Sequence, residues 1–209
     1  MILSALILIP FIGGLLCWLG EKLGLGFPRW IALISMAAVF GLGLYLWAQG
    51  DYSLANATVG SAPNWQLEER YTWIPHLGVS IHLALDGLSL LMVMLTGLLG
   101  IMAIGCSWTE IQRHVGFFHL NLLWSLGGVI GVFLAIDMFL FFFFWEMMLV
   151  PIYFLIAIWG HNAVGGKTKE YAATKFFIYT QASGLIMLIG ILILVMIHAS
   201  TTGQDRKSV

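Results

Sequence analysis

Runs of apolar residues long enough to cross a lipid bilayer fill most of this chain, and they decide what it can fold into. A spanning helix needs about 20 mostly apolar residues. Residues 2–19, 30–47, 87–107 and 172–197 each form one such stretch. A fifth, 117–159, is too long for one span and holds Asp137 near its middle, so it divides into two helices around a tight turn there. Only 9% of the residues are charged and 60% are hydrophobic. A water-soluble domain usually carries about 25% charged residues, enough to solvate its surface. This chain has no such surface, so lipid is its solvent. The expected fold is all-α: a polytopic membrane helix bundle of about six transmembrane helices.

The segments between the spans set the expected orientation. Lys22 and Arg29 follow the first span, Arg113 the third, and Lys167 and Lys169 the fifth. With six spans these three loops share one side, and basic loops face the cytoplasm. Both termini then face outward. The opposite side holds one long loop, 49–85. Within it Val79, Ile81, Leu83 and Leu85 alternate with Ser80, His82 and Ala84, the period of a strand. The aromatic segment 65–73 precedes it, and aromatic side chains favour the headgroup region. A short outer-face hairpin capping the helices is expected. Asn56-Ala57-Thr58 matches a glycosylation sequon, a pattern that mostly occurs by coincidence.

Several functions are disfavoured at once. A net charge of −1 gives no field for nucleic acid. Cys17 and Cys106 lie far apart in apolar runs and read as buried thiols, with no disulfide framework and no metal site. His119, His161 and His198 lack ligand spacing, and no histidine pair on one span suggests haem. The first span lacks the basic start and small-residue cleavage site of a signal peptide, so it reads as retained. Gly127, Gly128 and Gly131 form a small-residue face suited to close helix packing.

Ionisable groups at membrane depth cost about 2.5–3.5 kcal/mol on insertion scales, so each is a functional hypothesis. Glu146 is the sharpest, set in Phe141-Phe142-Phe143-Phe144-Trp145-Glu146-Met147-Met148-Leu149-Val150-Pro151. Burial disfavours the charged form of a carboxyl and a neighbouring cation favours it, and such opposition suits a group that gains and loses a proton in a cycle. Pro151 has no N–H for the carbonyl of Met147, which leaves an acceptor free beside Glu146. Tyr153 falls near the same helical face. The bland alternative is an inert interhelical contact. Lys175 shares a stripe, spaced by four, with Tyr171, Tyr179 and Ser183. It is either a proton-path or counter-ion lysine, or one that snorkels to the headgroups. Asp137 and Asp86 read as helix N-terminal carboxylates. Three classes remain: ion translocation through Glu146, a structural or assembly subunit, and, last, an intramembrane hydrolase without a convincing nucleophile–base pair.

Three segments together carry a family resemblance: Phe-Phe-Phe-Phe-Trp-Glu146-Met-Met-Leu-Val-Pro151, Ile-His-Leu-Ala-Leu-Asp86-Gly-Leu-Ser-Leu, and Ala-Ala-Thr-Lys175-Phe-Phe-Ile-Tyr-Thr-Gln-Ala-Ser-Gly. They closely resemble the antiporter-like membrane subunits of NADH–quinone oxidoreductase, the respiratory complex I, over nearly the whole chain. The resemblance implies a proton-pumping subunit that couples electron transfer from NADH to quinone to proton movement. It implies that Glu146 works with a lysine on a later helix. It implies no cofactor in this chain, with NADH, FMN, iron–sulfur clusters and quinone handled by other subunits. The implied partners are other membrane subunits of complex I and the lipid bilayer of a bacterial inner membrane. Family members have many more spans than six. Residues 1–198 are therefore expected to be the N-terminal transmembrane part of such a subunit, and 199–209 to be a truncated or frame-shifted end. The glutamate site is also common to related hydrogenase and sodium–proton antiporter complexes.

Overall fold

The computed structural model describes residues 1–24, 26–50, 65–74, 79–162 and 168–202 of the chain. The sequon at Asn56, the basic Lys167, and Arg206 and Lys207 of the tail lie outside these described residues, as does all of the tail from 203 onward. Seven helices and two strands follow in order: α1 (Ile2–Leu19), α2 (Gly26–Gln49), β1 (Leu67–Ile74), β2 (Val79–Leu85), α3 (Gly87–Glu110), α4 (Val115–Leu134), α5 (Met138–Met147), α6 (Leu149–Trp159) and α7 (Lys169–Thr202). Helices α5 and α6 run on through Met148 as one span. Among the described residues, six helical segments are long and apolar enough to cross a membrane, as the sequence predicts.

The boundaries have local causes. Asp86 and Asp137 cap α3 and α5: the first accepts from the amide of Ser89 at 2.7 Å, the second from those of Phe139 and Leu140 at 2.8 and 3.1 Å. The predicted turn at Asp137 is thus an N-cap in the strict sense. Helix α2 begins earlier than expected, at Gly26, because Pro28 is tolerated in a first turn where its missing N–H has no partner anyway. Arg29 is correspondingly inside the helix rather than in the loop, and its Nη2 donates to the carbonyl of Ile111 at 2.8 Å. Helix α7 starts at Lys169, whose amide is capped by Asn162 Oδ1 at 2.9 Å.

Helix α4 is the hub. Half of its span is buried, against 6% for α7 at the periphery. The predicted glycine face explains how its neighbours come so close. A Cβ at Gly127 would touch Pro10 and Phe11 of α1 at 3.2–3.3 Å, while one at Gly131 would fall 2.5 Å from the Phe144 ring of α5. Trp124 adds a directional contact, its indole N–H donating to the carbonyl of Phe11 at 3.1 Å.

Strands β1 and β2 pair antiparallel, with Glu69 opposite Leu83 and Leu67 opposite Leu85. The ladder is held to the helices from two sides. His82 O accepts from the amide of Ile136, at the α4–α5 turn, at 3.0 Å. Glu69 reaches the start of α1, which has no side-chain cap of its own, and accepts from the amides of Leu3 and Ser4 at 3.0 and 3.2 Å. The Ser4 hydroxyl and the N-terminal amine also donate to it. Burial alone would push this carboxyl up, but the donors prevail and hold it below its ordinary value. The simple in–out alternation expected of β2 is not found. Leu83 and Leu85 are buried, but so are Ser80 and Ala84, because helices α1, α4 and α5 all pack against the strand.

Cys17 is buried as expected, whereas Cys106 is exposed on α3. An apolar run in a membrane helix has a lipid-facing side as well as a packed one, so hydrophobic context alone does not place a thiol inside.

Candidate functional site

The site forms where α7 crosses the joint of α5 and α6. Glu146 stands one residue before the end of α5, and its carboxyl points at α7. Oε2 accepts from Nε2 of Gln181 at 2.8 Å. Oε1 is buried and has no hydrogen-bond partner among the described residues. It lies against Gly184, so close that a Cβ there would come within 1.8 Å of it. The glycine is what lets the two helices approach with a carboxyl between them.

The joint itself follows from the sequence. Pro151, buried in α6, cannot donate to the carbonyl of Met147, and the helix is interrupted at Met148. Tyr153, about two turns beyond Glu146, faces the same neighbour: its ring lies 5.7 Å from that of Phe177 on α7. The carboxyl of Glu146 and the ring of Tyr153 thus both turn from the α5–α6 span toward α7.

Lys175 is elsewhere. Ala173, Phe177, Gln181 and Gly184 make the inward stripe of α7, and Lys175 belongs to the opposite one, exposed with Tyr171 and Tyr179. Its Nζ lies 5.9 and 5.7 Å from the centroids of those two rings, within cation–π range. The tyrosine–lysine stripe read from the sequence exists, but it faces away from Glu146. Among the described residues Glu146 makes no salt bridge.

The remaining ionisable candidates stay apart. His119 is fully buried on α4, with Nδ1 bonded to the carbonyl of Val115 at 2.7 Å. Among the described residues no group of three or more His, Cys, Asp or Glu could hold a metal ion. Gln181 and Gly184 are the site residues that sequence reasoning missed. Both stand in one of the segments that carry the family resemblance. The signal was their spacing from Ala173 and Phe177, which marks a second helical stripe of small and uncharged residues.

The fold and this contact define a class: a polytopic helical membrane segment with a carboxyl enclosed between two spans. Residues 135–205, which include the whole site, match the family described as NADH:quinone oxidoreductase/Mrp antiporter, TM. More particularly, the chain is a close sequence relative of NADH-quinone oxidoreductase subunit M. It is 67% identical to that subunit of Escherichia coli strain K12 over 203 residues, covering 97% of this chain and 40% of the relative. To the subunit M of Pseudomonas aeruginosa it is 66% identical over 204 residues, again with 97% and 40% covered. Among solved structures, respiratory complex I from Thermus thermophilus with bound NADH contains a chain that superposes with a TM-score of 0.70 at 26% identity, covering 92% of this chain and 35% of that one. The chain thus spans about 40% of the length of the curated relatives it matches.

Proposed function

We propose that this chain is the proton-translocating part of a membrane subunit of NADH–quinone oxidoreductase, in which electron transfer from NADH to quinone drives proton movement through the bilayer. The observation that carries the reading is the enclosed carboxyl of Glu146, with one oxygen held by an amide and the other buried without a partner. A buried carboxyl oxygen without a partner is costly to leave unsatisfied, so it offers a ready site to a cation, a water or a proton arriving on the path. The freed carbonyl of Met147 and the adjacent Tyr153 give water or a hydroxyl a place to hand that proton on. Lys175, on the outward stripe of α7 and away from Glu146, is either a proton-path group or a counter-ion for what adjoins that face. No cofactor is assigned to this chain: NADH, FMN, iron–sulfur clusters and quinone belong to other subunits of the parent complex. The partners are the neighbouring membrane subunits and the lipid of a bacterial inner membrane. The basic loops face the cytoplasm and the hairpin and termini the outer side.

The test is Glu146→Gln in the complex that contains the chain. Inverted membrane vesicles should oxidise NADH with a several-fold smaller proton gradient, and the amount of assembled complex should be unchanged. A second reading has its own support, since the Glu146–Gln181 bond ties α5 to α7 and such a bond can fix helix register without moving protons. That reading predicts loss of assembled complex instead, with normal pumping by whatever complex remains.

A further inference from the structure

We infer that Gln181 is a positioning residue for Glu146, holding Oε2 so that Oε1 alone carries the exchangeable proton. The inference rests on the proton-exchange reading of Glu146 given above. An amide N–H only donates, so the oxygen it touches must offer a lone pair. In a neutral carboxyl the carbonyl oxygen is the better acceptor, and the bond from Gln181 Nε2 at 2.8 Å therefore makes Oε2 the carbonyl and Oε1 the hydroxyl. Nothing among the described residues holds Oε1, which leaves it free to exchange. Oε1 has no acceptor or donor among the described residues and fits the hollow left by the missing side chain of Gly184.

The step balances simply. The O–H bond at Oε1 breaks, the proton leaves toward a base or water on the path, and the pair of electrons stays on the carboxylate. The bond from Gln181 then becomes charge-assisted and strengthens, holding the ionised group in place until a proton returns to Oε1. Gln181 also stops the carboxyl from rotating about its last torsion, so each proton arrives and departs at one point in space. Rotation would otherwise be easy, since terminal sp³–sp² torsions are broad.

Infrared difference spectroscopy on the complex, between NADH-reduced and oxidised states, tests the assignment. In the unaltered complex a carbonyl band that disappears in Glu146→Gln should lie at the lower frequency of a hydrogen-bonded C=O. Gln181→Met keeps the bulk and removes the donor, so that band should move to the higher frequency of a free carbonyl, and protons pumped per NADH should fall. Should Gln181→Met fail to assemble, Gln181→Asn withdraws the same donor by one methylene and should move the band in the same direction. A Glu146 band that neither substitution moves overturns the role of Gln181 while leaving proton exchange at Glu146 intact. If no band is lost in Glu146→Gln, proton exchange at Glu146 fails, and the positioning role fails with it.

Discussion

A single methyl group distinguishes the site from an ordinary helix crossing. At Gly184 a Cβ would stand 1.8 Å from Glu146 Oε1, a distance no side chain tolerates, so Gly184→Ala must swing the carboxyl away or lift α7 off α5. Either outcome breaks the bond to Gln181. Gly184→Ala is expected to lower pumping at least as much as Glu146→Gln, measured as proton uptake per NADH oxidised, with little loss of stability, since the atoms in the way are the far end of the Glu146 side chain. Single residues were legible from sequence to different degrees. Glu146 declares itself because a carboxyl in a run of phenylalanines has no bland solvent-facing explanation. Asp86 and Asp137 did so because a carboxylate before an apolar run suits a helix start. Gln181 and Gly184 are uncharged and common in membrane helices, and what they do depends on a helix 35 positions away in sequence. Lys175 was visible as a charge, but only the packing of α7 shows that its stripe turns outward.

Among the elements, the β1–β2 pair and α1 are joined by one carboxylate. Glu69 does for α1 what a local cap does elsewhere, from 66 positions away. Its folded-state value lies below the ordinary 4.5, so its contribution is fully present above that pH and is lost as the pH falls through the lowered value. The protection of the Leu3 and Ser4 amides against hydrogen exchange, relative to the intrinsic rate at each pH, should fall in this acidic window, and Glu69→Gln should show the lower protection already at pH 7. Helix packing around α4 gives a second expectation. A Cβ at Gly116 would meet the backbone carbonyl of Cys17 at 2.5 Å, whereas one at Gly128 would meet only the flexible Met148 side chain at 2.4 Å. Gly116→Ala should therefore lower the thermal unfolding midpoint of the complex clearly more than Gly128→Ala, even though the hypothetical clashes are equally short. The helices themselves were the most legible feature, because a bilayer sets their length and hydrophobicity together. Strand β2 was legible as a strand but not in its facing, since alternation sorts residues only when one side of a sheet meets solvent.

Across the whole molecule, burial falls from the hub α4 to the peripheral α7. The outward face of α7 exposes Ile178, Tyr179 and Ile186 by 60–71% beside Lys175, the surface expected where further helices or lipid adjoin this chain. That arrangement suits one part of a larger membrane assembly, as the proposed function requires. The measurement that reaches this claim most directly is native electrophoresis of the host's membranes, solubilised in a mild detergent. The chain is detected with an antibody to residues 65–74, and the gel is stained for NADH oxidation. The account predicts that the antibody signal coincides with a large NADH-oxidising band. A chain that migrates alone, or in a complex that oxidises no NADH, would contradict it.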